Sequence, residues 1–212
     1  MDTLVSREAP DFTAKAVLAD GTIKADFSLS SFRGKYIILL FYPMDFTFVC
    51  PSELIAFDEA REEFAKRDTC IIGVSVDSHH THAAWRRTPR NKGGVGELGY
   101  PLVSDLRKDI ARKYGVLLNE EVALRGLFLI DREGIVRHVI VNDLPLGRNV
   151  EEALRMVDAL RFHEEKGEVC PANWKKGRPG MKPTQQGVVD YLSRYAPQHG
   201  PPPISGVRKL AE

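Results

Sequence analysis

The chain has 212 residues, 43% of them hydrophobic and 28% charged, and a formal net charge of +1. That suits a soluble globular domain with an appendage, long enough to bury a sizeable core, and gives no push towards nucleic acid or an anionic membrane. No apolar run reaches membrane-spanning length, and the opening MDTLVSREAP lacks the basic and apolar regions of a signal peptide, so the chain reads as cytoplasmic. Three widely separated cysteines, Cys50, Cys70 and Cys170, fit neither a secreted disulfide framework nor paired zinc ligands.

Residues 1–35 read as a lead-in with a hairpin, in which the Asp20-Gly21 turn precedes Thr22 to Leu29. Tyr36 to Tyr42 is continuously apolar, as a central strand covered on both faces would be. The chain then passes through FYPMDFTFVCPSE into a helical stretch, Leu54 to Lys66. There Leu54, Phe57 and Phe64 fall on one side and Asp58, Glu59, Arg61 and Glu62 on the other.

Cys50 therefore sits at a strand-to-helix junction. The first turn of a helix leaves N–H groups unpaired and carries partial positive charge, so this thiol is expected to be more acidic than a free cysteine. Pro51 fits the first helical turn, whereas Pro43 bends the end of the strand and withholds an N–H. Thr47, three residues before the cysteine, can lie on the same side of a helical turn and bond to the sulfur or to an oxygen approaching it. Taken alone, the junction is also compatible with an inert buried thiol.

Cys70 opens the next strand, CIIGVSVD, as a small buried residue. Ser78 caps a short helix to Arg87 on which His79 and His82 share a face. With Asp77 they make a metal site conceivable, although two histidines without a third placed ligand are a weak signal. The loop NKGGVGELG, Asn91 to Gly99, lacks the spacing and context of a nucleotide-binding fingerprint. Pro101 to Val103 reads as a short strand, and Asp105 to Tyr114 as a helix stopped by Gly115.

Ala123–Asp131 and Ile135–Asn142 form an antiparallel hairpin through Arg132-Glu133-Gly134. Arg125 is anomalous within it: a guanidinium in an apolar strand either finds a buried partner or snorkels to the surface. Asn149 caps an amphipathic helix to Lys166, with Val150, Ala153, Leu154, Val157, Leu160 and Arg161 at helical spacing, which closes a domain spanning residues 1–166. Residues 167–212 form an arm containing GEVCPANWKKGRPGMKPT, a helical piece from Gln185 to Tyr195 and the tail APQHGPPPISGVRKLAE. The last dozen or so residues are expected to be mobile or bound to a neighbour. The order of elements implies an α/β protein with a central mixed sheet flanked by helices.

The spacing Pro43, Thr47, Cys50, followed by Pro51-Ser52-Glu53, resembles the active-site loop of the peroxiredoxins. The resemblance runs from about Ala9 to Tyr191. It is most specific for the typical two-cysteine members, the alkyl hydroperoxide reductase small-subunit and thiol-specific antioxidant proteins. Also similar are the arginine of ALRGLFLID, the LPLGR segment ending at Arg148, the GGVG loop at Gly93–Gly96 and Val169-Cys170-Pro171-Ala172-Asn173-Trp174. The resemblance implies a thioredoxin-like fold. There is no Cys-x-x-Cys, and Thr47 stands where a first cysteine would fall, which disfavours a disulfide isomerase.

The same resemblance implies that Cys50 is the peroxidatic nucleophile and Cys170 the resolving cysteine. Thr47, Pro43, Glu53 and Arg125 would then support the site, with Arg148 behind them. It further implies reduction of hydrogen peroxide and organic hydroperoxides through a sulfenic acid and an intersubunit disulfide, recycled by a thioredoxin-like reductant. The assembly would be a homodimer, with dimers joining into a decamer, and no metal, other cofactor, nucleic acid or membrane would be needed. A redox sensor or oligomeric chaperone with Cys50 as its switch is the alternative. Where relatives with a GGVG-type loop carry a Tyr-Phe pair over the active site, this chain has Tyr191-Leu192, so intermediate sensitivity to over-oxidation is expected.

Overall fold

The computed structural model describes residues 3–195; the tail from Ala196, and with it the expectation for its last residues, lies outside them. Two compact units divide within one helix, the first reaching Val157 and the second starting at Asp158.

In the first unit, β1 (Thr13–Val17) and β2 (Ile23–Ser28) form the expected hairpin around the Asp20-Gly21 turn. Then come β3 (Tyr36–Phe41), α1 (Cys50–Glu59), α2 (Arg61–Ala65), β4 (Thr69–Ser75), α3 (His79–Arg87), β5 (Leu102–Ser104) and α4 (Asp109–Lys113). A small ladder of β6 (Leu117–Leu118) and β7 (Val122–Ala123) follows, and then the predicted hairpin of β8 (Arg125–Ile130) and β9 (Val136–Asn142). The helix α5 (Val150–Lys166) starts on Asn149, whose Oδ1 accepts from the Glu152 N–H at 3.1 Å.

Seven strands make one sheet in the order β2-β1-β5-β4-β3-β8-β9. The central pairs β3–β4 and β4–β5 are parallel and the others antiparallel, so the sheet is mixed. Every residue of β3 and β8 is buried. Side chains alternate between faces along a strand, so both faces of the sheet centre must be covered, which explains why YIILLF shows no polar alternation. One face gathers Ile37, Leu39 and Phe41 with Phe128, Ile130 and Tyr114. Phe41, Tyr114 and Phe128 meet at centroid distances of 4.9–5.7 Å, and each such side chain contributes about 1.5–3 kcal/mol by burial. This is a thioredoxin-like fold. Among the described residues no helix is long and apolar enough to cross a membrane.

Two helices differ from expectation. The stretch predicted as Leu54–Lys66 begins earlier, at Cys50, and breaks at Ala60 (φ −88°, ψ 3°). The helix predicted over Asp105–Tyr114 shrinks to Asp109–Lys113. Asp105 instead accepts from the N–H groups of Ile110 and Ala111 at 3.0 and 2.7 Å, and Lys108 turns the chain at φ +63°. Gly115, at φ +71°, stops the helix as expected.

The second unit contains the end of α5, Cys170 and α6 (Gln185–Tyr195), which matches its predicted bounds. Val169 and Met181 exchange two backbone hydrogen bonds, and Trp174 packs its ring 4.8 Å from that of Phe162. These contacts give the Pro/Gly-rich arm a fixed course around Cys170, whose Sγ lies 3.4 Å from the Ala159 carbonyl.

Candidate active site

β3 ends at Phe41, and α1 starts at Cys50, so the residues between cross the carboxyl edge of the parallel strands, where α/β sheets commonly bind ligands. Pro43 is buried at the strand end and Pro51 occupies the first turn of α1. Cys50 is fully enclosed. Its sulfur faces two donors, the Thr47 hydroxyl at 2.9 Å and Arg125 Nη1 at 3.4 Å. The three-residue spacing therefore brings Thr47 onto the sulfur.

Glu53 lies one turn along α1, buried, and its carboxylate accepts four hydrogen bonds. Oε2 takes Arg125 Nη1 at 2.6 Å and Arg148 Nη2 at 3.0 Å, while Oε1 takes the Arg148 backbone N–H and Nε, both at 2.8 Å. Arg148 also donates to the carbonyls of Phe41 and Gly126, and Arg125 Nε donates to the Leu144 carbonyl. Arg125 does not snorkel. It is the first residue of β8, held inward by Glu53 and aimed at the sulfur. The LPLGR segment delivers Arg148 because the Asn142 amide clasps the Leu146 and Gly147 carbonyls.

Two guanidiniums face one carboxylate here, which leaves an excess of positive charge beside the sulfur. Burial pushes the Arg148 guanidinium below its usual range, and the Glu53 hydrogen bonds and charge offset only part of that. An arginine keeps its proton in such a site, so the excess charge is fixed.

The other candidates that the sequence offers separate in space. His79 and His82 do not converge with Asp77 as ligands. His82 is fully buried with Nδ1 on Asp45 Oδ2 at 2.8 Å, while the His79 ring lies 4.0 Å from that of His80. Among the described residues no cluster of three His, Cys, Asp or Glu side chains is placed to hold a metal. Cys70 lies half-buried on β4, where burial raises its thiol above the ordinary value. In the GGVG loop, Gly93 accepts from Trp85 Nε1 at 2.9 Å. Tyr42 and Asp45, both buried beside the Cys50 loop, carry no signal in the sequence beyond an apolar strand end and a turn residue.

The profile of the AhpC/TSA family matches residues 5–139, and that of the C-terminal domain of 1-Cys peroxiredoxin matches residues 159–194. The chain thus belongs to the AhpC/TSA family: it is a peroxiredoxin, a peroxidase of the oxidoreductase class. It is 55% identical to alkyl hydroperoxide reductase C of Helicobacter pylori (strain J99) over 89% of this chain and 96% of that protein. It is 52% identical to mouse peroxiredoxin-2 over 90% and 96%. The crystal structure of reduced Plasmodium vivax 2-Cys peroxiredoxin superposes with a TM-score of 0.89 at 50% identity, covering 91% of this chain and all of that one. Although the second profile is named for one-cysteine proteins, the segment it matches contains Cys170.

Proposed function

We propose that the protein reduces hydrogen peroxide and organic hydroperoxides by a two-cysteine cycle in the cytoplasm, with Cys50 as nucleophile and Cys170 as resolving thiol. The observation that carries this reading is the enclosed Cys50 sulfur facing both Thr47 Oγ1 and Arg125 Nη1. The Cys50 thiolate attacks one peroxide oxygen and the O–O bond breaks. The electron pair leaves with the other oxygen, which takes a proton and departs as water or alcohol. Negative charge moves from sulfur to that oxygen, and donors already aimed at both ends of the shift lower the barrier without reorganising. Arg125 and Thr47 are those donors. Glu53 and Arg148 hold Arg125 in register, and Pro43 shields the sulfenic acid.

The sulfenic acid then condenses with Cys170 of a second subunit, forming the S–S bond and releasing water. A thioredoxin-like dithiol reduces the disulfide by exchange, becoming oxidised itself. Support for a homodimer comes from β9, which pairs with β8 and ends the sheet among the described residues. Its exposed Val141 gives that edge an apolar residue for strand addition. Joining of dimers into a decamer belongs to the same proposal.

The test is intact mass and a non-reducing gel on reduced protein before and after one equivalent of hydrogen peroxide, with Cys50→Ser and Cys170→Ser alongside. A covalent dimer in the wild type that both variants lack is the expected result. A monomer that only gains oxygen on Cys50 would remove Cys170 from the cycle and leave a one-cysteine peroxidase or a sensor.

A further inference from the structure

The turn that delivers Thr47 to Cys50 is fastened by a buried polar network separate from the Glu53–arginine cluster. Asp45 is pinned at three points. Its N–H donates to Asp77 Oδ2 at 2.8 Å, its Oδ1 accepts from the Tyr42 hydroxyl at 2.8 Å, and its Oδ2 meets His82 Nδ1 at 2.8 Å. Asp77 is itself fixed by the Ser75 hydroxyl at 2.9 Å. His82 Nε2 lies 3.2 Å from the Val103 carbonyl on β5. Asp45 and His82 side chains are both fully enclosed.

The donors and acceptors leave little freedom. A carbonyl only accepts, so Nε2 must carry a hydrogen. Nδ1 and Asp45 Oδ2 then share one proton: on nitrogen the pair is imidazolium and carboxylate, on oxygen it is neutral, and either arrangement satisfies both groups without water. Burial raises the Asp45 carboxyl above its usual value, partly offset by the hydrogen bond and charge of His82. The other ionisable groups facing the pair are Tyr42 from the end of β3, Asp77 from the end of β4 and His79 from α3.

The residue after Asp45 shows what the clamp achieves. Phe46 sits at φ +55°, a left-handed conformation that a non-glycine residue keeps only where neighbours over-determine it. Its half-exposed ring lies 5.9 Å from that of Trp85, a contact too slight to fix the turn by itself. The bend at Phe46 turns Thr47 back, so that its hydroxyl meets both the Met44 carbonyl and Cys50 Sγ.

We propose that His82 is a positioning residue for the Cys50 site: through its Nδ1 contact with Asp45, it holds the strained turn that places the Thr47 hydroxyl on the sulfur. Its effect on turnover rests on the peroxidase reading above, so the test uses a reaction that needs no peroxide. Iodoacetamide alkylation of Cys50 in the full-length reduced protein, followed by mass, is measured from pH 6 to pH 9 for the wild type, His82→Asn and His82→Gln. Asparagine keeps a donor where Nδ1 lies and loses the β5 link; glutamine keeps the β5 link and loses the donor to Asp45.

In His82→Gln the ratio of the pH 6 rate to the pH 9 rate should fall about tenfold, the effect of losing a hydrogen bond to a charged sulfur. In His82→Asn it should stay within about twofold of the wild type, because the Asp45 contact survives. Equal losses of thermal stability with unchanged ratios in both variants, or equal falls in both, would overturn the proposal. Should His82→Gln fail to fold, Asp45→Ala, which removes the carboxylate that His82 holds, carries the same expectation as glutamine, and a wild-type ratio there would overturn it. Failure of the wild type to react with hydrogen peroxide would count against the peroxidase reading alone.

Discussion

The two sides of the Cys50 sulfur are built in different ways. On one side Glu53, Arg125 and Arg148 stand on α1, at the start of β8 and on the short segment before α5, and they bond to one another and to main-chain carbonyls. On the other side Thr47 stands on a turn with a left-handed phenylalanine and a fully exposed Phe48, fastened through one aspartate. The first side is fixed charge on rigid elements, whereas the second is a loop held in a strained shape by a few hydrogen bonds. In the proposed cycle, a nucleophile that first meets a peroxide and then a thiol on another chain would use both, a permanent electrostatic wall and a support that can let go.

That contrast can be broken most severely at Glu53. Glu53→Ala leaves two guanidiniums buried without their carboxylate and should cost about 3–5 kcal/mol of stability, read as a lower midpoint in urea unfolding. Next is Arg125→Ala, which removes a donor aimed at the reacting atoms and should slow oxidation of Cys50 by about 100–1,000-fold in rapid-quench kinetics. Arg125→Lys should recover only a minor part, because a single ammonium cannot reach Glu53, the Leu144 carbonyl and the sulfur together. On the loop side Thr47→Val keeps the shape and removes one hydroxyl, with an expected slowing of about tenfold and stability within about 1 kcal/mol of the wild type. The smallest effect is expected from ending the chain after Asp190, which removes Tyr191-Leu192. Activity should survive a slightly higher excess of peroxide, and an unchanged inactivation curve would sink the idea that this pair acts as a lid.

The charged side of the site is the more legible in the sequence. An arginine inside ALRGLFLID contradicts its apolar neighbours, and a cysteine between an unbroken strand and a helix announces its position. Both signals arise within a few residues of the group itself. The clamp leaves no such trace, since Asp45 and His82 lie 37 positions apart. Asp45 reads as an ordinary turn residue and His82 as one of several histidines on a polar helix, where the nearby Asp77 looks the more natural partner. The two helices that depart from expectation also do so without a clear local signal. Ala60 is a strong helix former by composition, and nothing nearby announces the break there. Asp105 looks like the start of a helix, but its side chain reaches forward to cap one that begins four residues later.

The enclosure of Cys50 imposes a timetable as well as a geometry. In the proposed two-cysteine cycle a peroxide needs only a small opening to reach the sulfur, whereas a thiol carried on a second chain would need the first turn of α1 to withdraw. On that reading disulfide formation would run no faster than that turn opens, a motion in the microsecond-to-second range for local unfolding. The interval in which the oxidised cysteine waits alone, open to a second peroxide, would then follow the opening rate of a single helical turn, a rate that can be tuned without altering any group that touches the substrate.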